Sequence, residues 1–505
     1  MEIITVSNMQ LEKWCKFIFL PILLLIMSGC DSSDDESESG WVKFYNASPD
    51  SPAIYLTLDE DLEEDFDDEF EETFSAVNLG DALSNREVPT GNYFFELGWN
   101  DEGSIVRADL DVLADGSLNV RAEYISLIVL AQSAESPEVE VFDIPIIDEE
   151  DDTTNDLFNL RLLNVTHQAA GVDVYISSAD ESFNEAVLLA TANYMTLTDN
   201  LKLSEDTYKF YLTEPGATEV VFESTDVQYL YSSQYVLMIR SNDGAGSSPY
   251  VIDNVGNTST TSYYDSDAEA RLRIYNGLQT SSYLPEYSGA LNVSIAPAAT
   301  QEVFTFSELA VGGVSPSELF TNGDYSLSLY DTLNAEALAS NVLLSLPENS
   351  NQTLFVYSTE EYLDDDNDGN YDEDEDGIID GVEIKVKTLL VENSDRERVY
   401  DHEVKTVNLA YSEDFTRVTF YFVKSNESIA NAEYRRTTIT GNAESIVLPN
   451  NTYDVFAIAS VDGTDIILDS GVLTLDENSN EMYLLLESDP TRNSGVAMHL
   501  TPQID

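Results

Sequence analysis

Val42-Lys43-Phe44-Tyr45-Asn46 returns three more times along this chain, as Leu160-Arg161-Leu162-Leu163-Asn164, Leu272-Arg273-Ile274-Tyr275-Asn276 and Val404-Lys405-Thr406-Val407-Asn408. The shared form is apolar, basic, usually apolar, any residue, Asn. Only 22 of 505 residues are Lys or Arg, so a basic residue at one fixed place in four copies points to internal repetition. The Asn positions stand 118, 112 and 132 residues apart (46 to 164, 164 to 276, 276 to 408), a spacing that suits one domain per copy.

Working outward from each Asn, a second segment alternates apolar and polar residues as a half-buried strand does: Ile54-Leu56-Leu58, Val172-Val174-Ile176, Leu291-Val293-Ile295 and Val418-Phe420-Phe422. In the first copy Asn46-Ala47-Ser48-Pro49-Asp50 ends the opening strand, because Asn bonds nearby backbone and Pro removes a ladder donor. A tight turn joining the first two strands is the expected result. Each copy then carries a strand led by a tyrosine (Tyr93, Tyr208, Tyr325, Tyr453), expected to bury its ring and bond its hydroxyl. A more continuous apolar strand follows (from Tyr124, Tyr235, Leu354 and Met482), and a last one closes the copy near Val139, Tyr250, Ile384 and Val496.

Six or seven short strands per copy predict an all-β protein of four tandem immunoglobulin-like antiparallel β-sandwich domains. Their expected limits are 41–147, 157–253, 269–391 and 403–502. Polar segments 148–155, 254–267 and 391–402 read as linkers, giving an elongated row of four beads. The opening Asn46-Ala47-Ser48-Pro49-Asp50-Ser51-Pro52, and Val172-Asp173-Val174-Tyr175 in the second copy, resemble the bacterial extracytoplasmic family called domain of unknown function 4397. That resemblance implies a β-domain outside the cytoplasm and no catalytic residues.

The formal net charge is -73, which disfavours nucleic acid and anionic headgroups as partners and favours divalent cations or basic surfaces. A hydrophobic share of 43% is enough for packed cores. Around Lys13 and Lys16 lies a basic segment, followed by the apolar run Phe17 to Ile26 and then Met27-Ser28-Gly29-Cys30. This layout of residues 1–29 reads as a signal peptide, and its end resembles a bacterial lipobox. The resemblance implies cleavage before Cys30, lipidation of Cys30 and membrane attachment through the lipid. Residues 30–40 form an acidic, serine-rich tether. Asp31 beside the cysteine resembles an inner-membrane retention signal, whereas the acidic-serine run resembles a surface-export signal. The outer membrane, at either face, is the expected location, with the inner membrane as the alternative.

Two acidic insertions interrupt the repeats. Asp59 to Glu72 has no glycine and no regular ligand spacing; Leu62, Phe66 and Phe70 fall four apart, which fits a short amphipathic helix or a disordered loop. The other, Asp364 to Glu383, is more ordered. Asp364, Asp366 and Asp368 precede Gly369 and Asp372; Asp372, Asp374 and Asp376 precede Gly377 and Asp380; Glu375 and Glu383 stand at the twelfth position of each cassette. Alternating carboxylates with a glycine at the bend suit Ca²⁺, which takes six to eight oxygens. The overlap of the cassettes resembles thrombospondin type 3 repeats. The expected ligands are Asp364, Asp366, Asp368, Asp372, Asp374, Glu375, Asp376, Asp380 and Glu383.

Only three histidines occur, and neither a serine-nucleophile elbow, a phosphate-binding loop nor a metalloprotease motif is present. The expected function is therefore a lipid-anchored envelope protein of binding or adhesion type, without catalytic activity, taking a protein or glycan ligand. A periplasmic scaffold for an envelope complex is the alternative, and an enzyme acting on glycans a weaker one.

Overall fold

The computed structural model describes residues 38–61, 70–100, 104–147, 150–167, 171–297, 303–334, 337–362 and 381–504. Residues Glu38–Asp505 make one compact unit, built almost wholly of strands in eight sheets. The sheets pair into sandwiches, each closed around its own hydrophobic cluster. All-β sandwich architecture is as expected, with eight to ten strands per sandwich rather than six or seven.

The opening strands are Ser39–Asn46, Leu157–Asn164, Ala270–Asn276 and Asp401–Asn408. Each sits beside a return strand, the continuous apolar one: Tyr124–Ala131, Gln234–Ser241, Asn351–Tyr362 or Met482–Ser488. This pairing is parallel in all four sandwiches, whereas the other ladders among the described residues are antiparallel, apart from a single parallel bridge between Asn164 and Tyr194. The closing strand of each copy pairs with the far edge of the return strand: Glu138–Pro145, Tyr250–Val255, Val382–Glu392 and Val496–Pro502.

The expected tight turn after the repeated Asn is a crossing instead: the second strand of each copy lies in the opposite sheet. The Asn makes the crossing. All four are fully buried. Each Oδ1 accepts the N–H two residues on, from Ser48, Thr166, Leu278 and Ala410 at 2.9 to 3.1 Å. Each Nδ2 donates to a backbone carbonyl from the next part of the fold: Val77, Ala192, Leu309 and Thr438. Buried backbone groups at a corner need such partners, and one amide side chain supplies both kinds.

The tyrosines meet the expectation in full at Tyr325 and Tyr453 and in part at Tyr208, which is half-buried, and at Tyr93, which is buried. Tyr208, Tyr325 and Tyr453 donate to the carbonyls of Ser204, Thr321 and Pro449, each four residues upstream, at 2.7, 2.5 and 2.8 Å. Tyr93 is buried in the first core.

Two further expectations need correction. The segment 254–267 is not a linker: Tyr250–Val255 continues past 253, and Thr260–Tyr263 adds an edge strand to the same sheet. Nor are the sandwiches separate beads. The first and second share a buried cluster of Tyr45, Ile125, Leu127, Val129, Leu163, Val236 and Met238. The third and fourth share Tyr275, Phe355, Tyr357, Val407, Tyr483 and Leu485. Alternation explains both. In the first return strand Ile128 and Leu130 face their own core, and Ile125, Leu127 and Val129 face the neighbouring sandwich. A strand buried on both faces reads as a continuous apolar run.

The side-by-side pairs also meet end to end. Asn242 and Asn349 exchange amide hydrogen bonds at 3.0 and 2.9 Å between the second and third sandwiches. Arg396, in the supposed linker 391–402, donates to the carbonyl of Ser51 at 2.7 Å, and Tyr400 stacks on Trp99 with ring centres 5.3 Å apart. Segment 148–155 holds a short helix, Glu150–Thr154.

Candidate functional site

The calcium candidate lies, in sequence, between the two strands of the longest strand pair among the described residues. Return strands end soon after the residue level with the repeated Asn: Leu130 is followed only by Ala131, Ile239 by two residues and Leu486 by two. In the third sandwich Val356 is level with Asn276, yet the strand runs on to Tyr362, paired throughout with Val382–Glu392. This arm stays against its own core for most of its length, since Ile384, opposite Glu360, and Val386, opposite Ser358, pack on the third cluster.

Residues Asp364, Asp366, Asp368, Asp372, Asp374, Glu375, Asp376 and Asp380 lie outside the described residues, as does Cys30. Glu383 is described: it stands in the arm opposite Glu361 and forms an ion pair with Lys385 at 2.6 Å. The pairing of Tyr362 with Val382 brings the two ends of the acidic segment together. Among the described residues no group of three or more His, Cys, Asp or Glu is placed to hold a metal, and no helix is long and apolar enough to cross a membrane. Of the other acidic insertion, residues 62–69 are likewise outside the description. Its end is a strand, Glu71–Thr73, on Tyr55–Asp59, and Asp59 is paired with Arg107.

The base of the arm is anchored on the fourth sandwich. Tyr357 is buried in the shared cluster, and Gly441 passes so close, at φ +78°, that a Cβ there would meet the Tyr357 hydroxyl. Burial, and then the charge of Glu413, raise the carboxyl of Glu360. Carboxylates therefore already crowd the arm below the insertion.

The repeated basic residues, whose role the sequence left open, are fasteners. Lys43 Nζ donates to the carbonyl of Gly256 at 2.6 Å, across to the second sandwich; burial lowers its pKa to about 8. Arg273 donates to the carbonyl of Pro502 in the fourth sandwich, and Lys405 to that of Glu392 in the third. Arg161 stays within its own sandwich, on the Thr198 carbonyl at 3.2 Å. A cation gripping a backbone carbonyl at a fixed strand position was the visible signal, though not its target.

Two cavities of about 300 and 310 Å³ lie where the sandwiches meet, and Asp243 lines both. Asp243 is tied to Arg240 at 2.6 Å. Arg396 lines the first cavity; burial and then the nearby Arg398 lower its pKa to about 10.

No family model matches the chain, and no curated protein matches it. Among solved structures it is similar to the Bacillus anthracis TIE protein (9% identity, 91% of this chain and 76% of that one, TM-score 0.15). It is similar also to the chicken CNTN1 FN1-FN3 domains (8% identity, 61% and 91%, TM-score 0.12). A putative cell adhesion protein from Parabacteroides distasonis gives 11% identity over 68% and 99%, with a TM-score of 0.13.

Proposed function

We propose that this chain is a lipid-anchored protein of the bacterial cell envelope, of binding or adhesion type and without catalytic activity, which presents a calcium-ordered loop on the arm of its third sandwich. The observation that supports the reading is the arm itself: a strand pair longer than its counterparts in the other sandwiches, with the Asp-rich cassettes lying between its two strands in the sequence. The polar clusters at the joints are engaged in holding sandwiches together, which suits a rigid presenting body. Ca²⁺ would be held by Asp364, Asp366, Asp368, Asp372, Asp374, Glu375, Asp376 and Asp380, and by Glu383 once its pair with Lys385 opens. It would neutralise a segment with no Lys or Arg of its own. At tenfold above its dissociation constant one site would stabilise the bound form by about 1.4 kcal/mol.

Protease shaving of intact cells, following an epitope placed after Asp505 beside a periplasmic control protein, tests the exposure. Loss of the epitope with the control intact supports adhesion or ligand capture at the surface. Protection until the outer membrane is opened would give the lead to a periplasmic scaffold. For calcium, cleavage within 363–381 of the purified chain should slow at millimolar Ca²⁺, and unchanged cleavage would remove the metal from the proposal.

A further inference from the structure

The two side-by-side joints place opposite chemistry at equivalent positions. Ile239 is level with Asn164 and Leu486 with Asn408, so Arg240 and Glu487 are equivalent. On the closing strands Asp253 pairs with Met238 and His499 with Leu485, so Asp253 and His499 are equivalent too. Each cluster receives a tyrosine from the preceding sandwich: Tyr45 donates to Asp253 at 2.6 Å, and Tyr275 to Glu487 at 2.7 Å. Arg240 and Asp253 form a buried ion pair at 2.8 Å, permanent over ordinary pH. In the other joint the cationic place belongs to a histidine, with Nε2 at 3.8 Å from Glu487.

We propose that the Tyr275–Glu487–His499 cluster makes the joint between the third and fourth sandwiches pH-responsive, tight in acid and looser as pH rises. Glu487 is 4% exposed, and among the described residues its Oε1 has no hydrogen-bond partner. Gly277 leaves room for that oxygen, since a Cβ there would stand 2.7 Å from it. Among the described residues, the titratable and charged groups around the carboxyl are Tyr275 from the third sandwich and His499 from the adjoining strand. Beyond the histidine lie Asp489 and, 3.7 Å from it, Arg492.

Burial is the largest influence on Glu487 and raises its pKa above 4.5; Tyr275 and His499 oppose it. A carboxyl raised in the fold contributes stability that is fully present below its unfolded pKa and lost as pH rises through its folded one. Rising pH therefore creates a buried carboxylate at the joint, where the Tyr275 hydroxyl is the one close donor facing it among the described residues. The arm is built from the third sandwich and rests on the fourth, so the same joint sets how firmly the arm is held.

Hydrogen exchange of the full chain, corrected for the intrinsic pH dependence of exchange, tests this. From mildly acid to mildly alkaline pH, protection in 271–276 and 482–488 should fall by roughly tenfold relative to 124–131 and 234–241. Glu487→Gln keeps an acceptor for Tyr275 and should abolish that fall. Should that variant not fold, His499→Asn should shrink the fall. The proposal is overturned if a folded Glu487→Gln chain keeps the full fall, if His499→Asn keeps it where the first variant cannot be used, or if the first pair shows the same fall.

Discussion

Between the first and second sandwiches the cation comes from the return strand and the carboxylate from the closing strand, as Arg240 and Asp253; between the third and fourth the signs are exchanged, as Glu487 and His499. The sheets that meet, the parallel strand pairs behind them and the tyrosine donated across are the same. The fold thus demands a satisfied polar cluster at this place but leaves its polarity open. What differs is strength. A guanidinium between two carboxylates keeps its proton throughout: burial opposes its charge, but Asp253 and Asp243 more than offset this. The imidazole of His499, half-exposed and 3.8 Å from Glu487, is the looser partner.

The largest way to break the comparison is Asp253→Ala. Arg240 would keep Asp243, but the buried guanidinium and the Tyr45 hydroxyl would lose their shared acceptor. Removing one partner of a buried pair costs about 3–5 kcal/mol. Exchange protection in 124–131 and 234–241 should collapse while 482–488 is unchanged. A loss spread evenly over both pairs would mean that the joints are not separate units.

A smaller break acts on the corners. Asn276 Nδ2 makes two close bonds, to Tyr287 at 2.9 Å and to the Leu309 carbonyl at 2.8 Å, whereas Asn408 Nδ2 reaches Thr438 at 3.5 Å. Buried groups left without a partner cost about 1–3 kcal/mol, so Asn276→Ala should lie near the upper figure and Asn408→Ala near the lower. Local exchange in 304–310 and 434–439 would report the two values, and equal losses would show that the longer bond is as strong as the shorter ones.

These corners also mark how far the sequence could be read. The Asn, the basic residue and the alternation of the second strands placed the sandwich framework, because each reports a demand made by the residue's own backbone or core. Periodicity shows that a side chain is buried but not against what. Leu127 and Val129 could therefore be assigned to a strand, while the neighbouring sandwich they pack on could not be named. The parallel pairing of Phe44 with Ile128 joins residues far apart in sequence and leaves no local trace. Lys43 showed a fixed cation without its acceptor, Gly256, which lies in another repeat. At the candidate site, the acidic cassettes were visible and the arm that carries them was not, since Tyr357 to Tyr362 resemble any strand.

Titration sharpens the comparison at a second point in the third and fourth pair. Glu481 is 2% exposed; burial raises its pKa to about 8, with Arg398 opposing and Glu403 adding. Its raised value means that its stabilising share is whole below pH 4.5 and is lost as pH rises through about 8. Glu481→Gln still accepts the Glu403 N–H and carries no charge to bury. It should leave stability unchanged in mild acid and raise it on the order of 1–2 kcal/mol above pH 8, read by denaturant unfolding of the full chain at both pH values. Stabilisation in acid as well would assign the gain to packing and not to charge.

The smallest expected effect concerns the end-to-end contact. The side-by-side joints bury whole sheet faces, whereas the first sandwich meets the chain entering the fourth through single groups, the Trp99–Tyr400 stack and Arg396 on the Ser51 carbonyl. Tyr400→Leu keeps an apolar side chain against the first core and removes the stacked ring, a loss of about 0.5–1.5 kcal/mol. Protease cleavage within 391–402 should quicken, with exchange protection in both side-by-side joints held. If protection in those joints falls as well, the stack is setting the geometry of the pairs.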